Sequence, residues 1–476
     1  MNAAAGHHEF VKASAAEIAA QLEKVTPQAK AAVKAATAAI SDAEIEQHRV
    51  RFLADFAEIR DKAAKELPPP YVHYASRFDA VGLYQSVLAK VFNGIPGLQG
   101  YGNRNPVWVA TLLEQAAFKL TSFFHEVHEL EGAKKPLLQA VLEAWRDIKL
   151  AKAPYPQGIP TTQHLDETCT IALLADWGGD NPAARHVAEV VRHAQPKVAI
   201  HLGDIYYGGV QEECVAFLRN WPMQADTVHP GKSIPAGSSL ALNGNHEMYS
   251  GGEAFFNTVL PAFGQVQPFF CLENQYWRII GLDTAYLGGR LKPEDPDDPL
   301  MAQWNWLVGL LQQEPKKATI FLSHHQPVSA HAQEFADSAP LRADIEELLK
   351  TPGIGSEAIF GWFFGHEHRH TVYEDHATAF NARLIGSGCI PHEIQWELKS
   401  DPGCTPLHWV SNRGEDGSTQ SAISLYAELR FIGSTVTIVY TDERNTQLGH
   451  EQWDAQKGRL NGVPFEGDNT GYLTQS

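Results

Sequence analysis

Positive charge is scarce in this 476-residue chain: 38 Lys and Arg stand against 56 Asp and Glu, for a formal net charge of -18. A nucleic-acid backbone needs clustered Lys and Arg to displace its counterions, so nucleic acid is not expected as the main partner. Cysteine is also sparse. The five, at 169, 214, 271, 389 and 404, form no C-x-x-C pair and no closely spaced even set, which argues against a disulfide scaffold and fits a reducing compartment. Nowhere do about 18 apolar residues run together, so no membrane span is expected. The first 25 residues carry Glu9, Lys12, Glu17 and Glu23 where a secretory leader needs an unbroken apolar stretch, and no twin-Arg pair precedes them. A cytoplasmic location is therefore expected. With 44% hydrophobic and 20% charged residues, the chain is long enough for two or three domains with their own cores.

Residues 1–152 read as a helical N-terminal domain. Phe10, Val11, Ile18, Leu22 and Val25 recur at near-helical spacing, and Ser41 with Glu44 makes a capping box ahead of the stripe Ile45, Phe52, Leu53, Phe56 and Ile59. No chemistry is visible there; His125 and His128 read as packing or surface residues. Residues 153–167, with Pro154, Pro156, Gly158 and Pro160, read as an extended linker. From 168 to 455 short apolar runs alternate with helical patterns: CTIALLAD, ARHVAEVVRHA, PKVAIHLGD, EECVAFLRNW, SLALNGNHE, WRIIGLDT, AQWNWLVGLLQQE, ATIFLSHH, LRADIEELLK, IFGWFFGHEH and NARLIGSG. That order predicts an α/β domain with strands buried between helix layers. The stretch 392–420 reads as a long loop, SLYAELRFIGSTVTIVYTDE as two further strands, and 456–476 as a loose tail.

Five of those strands end at metal-favouring residues: Asp176, Asp204, Asn245-His246, His324-His325, and His366 with His368. In open α/β sheets, loops at the carboxyl ends of strands converge on one place, so residues far apart in sequence can share a site. Taken singly, each has an ordinary explanation, since a strand-end Asp commonly caps the next helix and a strand-end His is commonly just hydrogen-bonded. An ordered set of five is poorly explained that way.

The blocks Asp176-Trp177-Gly178, Gly203-Asp204-Ile205-Tyr206-Tyr207, Gly244-Asn245-His246-Glu247, His324 and Gly365-His366-Glu367-His368 resemble, in type and order, the calcineurin-like metallophosphoesterase superfamily. The resemblance covers about residues 168–450. It implies a sandwich of two mixed sheets flanked by helices. Most of the superfamily carries a His where this chain has Gly178, and Tyr207 offers a replacement donor. That combination is similar to the purple acid phosphatases, in which a phenolate binds ferric iron. By resemblance, Asp176, Asp204, Tyr207 and His368 would hold Fe(III), while Asp204, Asn245, His324 and His366 would hold a divalent iron, zinc or manganese ion. The motif here is H-H-Q-P in place of the usual H-x-P, which leaves His324 and His325 both open as the ligand; His324 is favoured because it ends the run TIFLS. His246 would serve the leaving group or the transition-state charge, and His331 the substrate. Asp283 and Gly386-Ser387-Gly388 match family positions read as structural.

Those residue types suit the chemistry. Carboxylate and phenolate oxygens favour a hard trivalent ion, imidazole and amide oxygen a divalent one. Two ions about 3.5–4 Å apart can clamp an in-line displacement and generate hydroxide at moderate pH. The implied activity is hydrolysis of a small phosphate monoester by a metal-bound hydroxide. A phosphodiesterase on the same centre, or a degenerate domain acting as a scaffold, are the alternatives. The natural substrate and the oligomeric state are not legible, and Trp409, Asn412 and Arg413 could face either an ester or solvent.

Overall fold

The computed structural model describes residues 152–178, 182–205, 209, 211–226, 228–249, 251–298, 300–330, 338–373, 380–389, 406–409, 411–413, 420–422 and 424–457. The helical domain expected over residues 1–152 lies outside them but for Lys152, as do Tyr207, His331 and the tail beyond 457. Nearly all the described residues belong to one compact unit, running from residue 154 onward apart from excursions at 207–212 and 249–253.

Two mixed sheets form its core. The first runs β16(Gln447–Asp454), β15(Thr435–Asp442), β14(Leu425–Ile432), β2(Thr168–Leu174), β3(Val198–His201) and β4(Ser239–Ala241). Its last three strands are parallel and the others antiparallel. The second runs β1(Gln163–His164), β5(Phe270–Glu273), β6(Trp277–Leu282), β7(Ala318–Ser323), β8(Gly361–Phe364), β10(Asn381–Ile385), β9(His370–Tyr373) and β11(Pro406–Trp409), with β6, β7, β8 and β10 parallel. A separate ribbon pairs β12(Ser411–Arg413) with β13(Gln420–Ala422). The stretch 392–420, expected as a loop, thus holds β11, β12 and the start of β13.

Side-chain alternation explains why two layers form. Ile171 and Leu173 on β2, Ile200 on β3, Ile279 on β6, Ile320 and Leu322 on β7, and Ala427, Leu429 and Phe431 on β14 fill one continuous apolar core. Gly361 leaves room there for the Trp453 ring, which a Cβ would strike. A polar network closes the far edge. Arg383 on β10 pairs with Glu451 on β16 through Nε–Oε1 at 2.7 Å and Nη2–Oε2 at 2.6 Å, and Glu451 also accepts from the Tyr440 hydroxyl and Trp453 Nε1. Arg383 and Glu451 are 2% exposed, so neither charge is tolerable without the other. Although burial alone would raise it, the Glu451 pKa is lowered by Arg383.

Helices cover the outer faces. In chain order they are α1(Pro182–Ala194), α2(Gln211–Asn220), α3(Asn245–Tyr249), α4(Leu260–Phe263), α5(Met301–Gln312) and α6(Ala339–Lys350). On α5, Trp304, Leu307 and Leu311 recur at helical spacing and are buried. From α6 the buried Asp344 accepts from the backbone N–H of Leu291 at 2.8 Å and of Lys292 at 3.0 Å, pinning that loop. Tyr155, in the Pro-rich stretch, is buried edge-on against the Phe256 and Tyr286 rings.

Register positions the site. Leu174 pairs with His201 and His201 with Ala241, while Leu282 pairs with Ser323 and Ser323 with Phe364. The parallel strands of each sheet therefore end level, and the residues that follow them emerge together.

Candidate metal centre

Asp176 follows β2, Asp204 follows β3, Asn245 opens α3 after β4, His324 follows β7, and His366 and His368 follow β8. The structure brings them together. Donor atoms of Asp204, His324 and His366 lie within 4.8 Å of one another, as do those of Asp176, Asp204 and His368. Asp204 belongs to both groups. His368 Nε2 is 3.4 Å from Asp176 Oδ1, and His324 Nε2 is 3.3 Å from Asp204 Oδ1 and 2.8 Å from Asn245 Oδ1.

Three of these residues are held in left-handed backbone: Asp176 with φ 54°, Asp204 with φ 69° and His366 with φ 72°. Non-glycine residues rarely adopt it, at a cost on the order of 1–3 kcal/mol each, and only surroundings that over-determine the chain sustain it. Those surroundings are visible. The Asp176 N–H donates to Gly203 O at 3.1 Å, and the His366 N–H to Asp176 Oδ2 at 2.8 Å. Glu247 accepts from three backbone N–H groups, those of Asp204 (3.1 Å), Gly244 (2.5 Å) and Ile205. It thereby ties the loop after β3 to the loop after β4. The Gly388 and Cys389 N–H groups donate to Ala175 O and Asp176 O, so the Gly386-Ser387-Gly388 turn braces the first loop.

The donor set fits a cation. His324 Nδ1 faces the Leu202 carbonyl at 3.1 Å, a pure acceptor, so that nitrogen carries the proton and Nε2 presents a lone pair. Around Nε2 stand Asn245 Oδ1, an Asp204 oxygen and, at 3.2 Å, His366 Nδ1. Converging lone pairs repel unless a positive charge lies among them. Without an ion the nearest substitute is a proton. Burial lowers the His324 pKa, but the charge and hydrogen bond of Asp204, with Asp176 and Glu247, outweigh it and lift the pKa to about 9.

Of the adjacent histidines, His324 faces Asp204, whereas His325 turns Nδ1 toward Thr284 Oγ1 at 2.9 Å and packs its ring 4.7 Å from that of His366. His246 Nε2 is 3.7 Å from Asp204 Oδ2, and its backbone N–H donates to Asp204 Oδ1 at 3.0 Å. Asp283 stands apart, accepting from the N–H groups of Ala285 and Tyr286 and tied to Gln303 of α5. At Gly178, φ is 139° and a Cβ would meet Phe217 at 3.0 Å, so any side chain there would strain the backbone and crowd that ring. Sequence reasoning assigned no role to Glu247. Its three donors come from two loops that are not neighbours in sequence, and no local signal reveals that.

Residues 169–370 match the family model of the calcineurin-like phosphoesterases. The chain contains a calcineurin-like phosphoesterase domain. Among solved structures this chain is similar to a purple acid phosphatase from yellow lupin (Lupinus luteus) seeds, at 13% identity and a TM-score of 0.43, covering 67% of this chain and 59% of that one. It is also similar to GAP50, the anchor in the inner membrane complex of Plasmodium, at 14% identity and a TM-score of 0.42, covering 64% and 90%. YfcE, a phosphoesterase from E. coli, is 12% identical with a TM-score of 0.25, over 59% and 97%. The chain thus spans under two thirds of the lupin protein's length. No curated protein matches it. Among the described residues, no helix of the phosphoesterase domain is long and apolar enough to cross a membrane.

Proposed function

We propose that the phosphoesterase domain hydrolyses small phosphate monoesters with two bound metal ions. The observation that carries this reading is the sharing of Asp204 between two groups of donors, the arrangement a bridged ion pair requires. Asp176, Asp204 and His368, completed by Tyr207, would hold Fe(III); Asp204, Asn245, His324 and His366 would hold a divalent iron, zinc or manganese ion. Such a pair supplies Lewis acidity toward a phosphoryl oxygen and a nucleophile drawn from water.

The chain's own residues supply the rest. Asp204 is held by the His246 N–H while its own N–H is fixed by Glu247, which sets the carboxylate before any ligand arrives. The His246 imidazole is 10% exposed beside Asp204, which supports its assignment as the group that gives a proton to the leaving oxygen. His331 is assigned to substrate contact. The catalytic domain is taken as 168–455, with a helical domain over residues 1–152 and, between them, the stretch 153–167, which packs on the catalytic domain through Tyr155, β1 and Leu165. Four cysteines, 169, 214, 271 and 389, are buried thiols, which supports a reducing, cytoplasmic setting.

Metal analysis of the purified protein, with turnover of p-nitrophenyl phosphate set against the bis-ester, tests the reading. Two equivalents of metal and faster monoester turnover are expected. Faster diester turnover would make the domain a phosphodiesterase; absence of metal from protein prepared with iron and zinc would make it a binding or scaffold domain.

A further inference from the structure

His201 is a fully buried histidine with no place in either donor group. It ends β3 on the face turned away from the inter-sheet core. There its ring is packed 4.9 Å from Phe217, 6.1 Å from Trp221 and 6.4 Å from Trp177. Apolar packing alone would be met by Phe or Leu. Instead both ring nitrogens are used: Nε2 lies 2.6 Å from Trp177 O, and Nδ1 lies 3.3 Å from the Gly203 N. Trp177 O can only accept and the Gly203 N–H can only donate. One tautomer satisfies both, with the proton on Nε2 and the lone pair on Nδ1. Trp177 follows Asp176 and Gly203 precedes Asp204, so one imidazole joins the two carboxylate-bearing loops. The Asp176 N–H to Gly203 O bond joins them a second time.

We infer that His201 is a positioning residue that locks the loops after β2 and β3 in one register, so that Asp176 and Asp204 present their carboxylates to a common ion. The inference deepens the two-metal reading and rests on it. Its physical basis is geometric. Neither loop is regular structure, both carry a left-handed residue, and a neutral buried imidazole is the one side chain that offers a donor and an acceptor at fixed, diverging positions on one rigid ring. A flexible amide could replace the bonds but not the rigidity.

The test uses the full chain as wild type, His201→Phe and His201→Gln. Mn(II) titration followed by electron paramagnetic resonance of the free ion measures affinity. Amide exchange at Asp176 and Gly203 in the metal-free protein reads the loop tie without any ion. Expected for His201→Phe are a melting temperature near wild type, faster exchange at both amides and at least tenfold weaker Mn(II) binding, with some of the affinity recovered in His201→Gln. Wild-type affinity and exchange in a folded His201→Phe would overturn the inference, as would equal loss in both variants with a matching fall in melting temperature. If His201→Phe does not fold, a long-range proton–nitrogen spectrum of the wild type decides: a proton on Nε2 supports the tie and a proton on Nδ1 refutes it. A wild type that binds no Mn(II) but shows slow exchange at both amides would sink the two-metal reading while leaving the tie intact.

Discussion

Removing metal should make stability depend on pH in a window set by His324. Its side chain is fully buried, and its pKa rises from 6.5 in the unfolded chain to about 9 because Asp204 and its neighbours outweigh the burial that opposes them. A histidine with a raised folded pKa contributes stability that is complete below 6.5 and is lost as pH climbs through about 9. Each tenfold change in proton affinity corresponds to about 1.4 kcal/mol, so this group alone gives a loss on the order of 3 kcal/mol. Glu247 acts in the same direction, its carboxyl raised to about 8 by burial and then by Asp204; an acid so raised also loses stability as pH rises toward that value. The two sit in one cluster, so their effects are not added. Calorimetric melting of chelator-treated protein from pH 6.5 to 9 should show a fall of roughly 5–10 °C. Metal-loaded protein should show little of it, because ions occupy the lone pairs that would bind protons. His324→Asn should flatten the metal-free curve. A metal-free melting temperature constant across the window, or one that falls equally with metal bound, would refute the assignment of His324 to the centre.

His246→Ala should keep both metals yet lower turnover of an alkyl phosphate by roughly 10²–10⁴, with a smaller loss on an activated aryl ester; unchanged alkyl turnover removes the residue from the reaction. Tyr207→Phe should abolish a visible charge-transfer band of the oxidised iron-loaded protein, and a band that persists excludes the phenolate. Arg383→Met should destabilise the domain by about 3–5 kcal/mol in urea denaturation, because Glu451 would be left buried without its partner; a loss under about 1 kcal/mol would mean that water reaches the carboxylate.

Much of the frame was legible in the chain. The runs at β2, β3, β7 and β8 are continuous and apolar, as strands covered on both faces must be, and the helices α1, α2, α5 and α6 showed their period. The edges were not legible. On β16 the buried residues are Gly449, Glu451 and Trp453, a pattern with no apolar alternation, and Glu451 is buried only because Arg383 stands across from it. The short strands β5 and β9 likewise lacked the length that makes a period visible.

The division at the site follows the same logic. The identities and order of Asp176, Asp204, Asn245, His324, His366 and His368 were written in the sequence, since each ends a run whose type is locally encoded. Tertiary structure alone decided which donors stand within reach of one another, that His324 rather than His325 faces Asp204, and that His201 and Glu247 stand behind them. Those outcomes depend on strand register and on loops distant in sequence, where hydrogen-bond partners are chosen by position in space and leave no periodic trace in the chain.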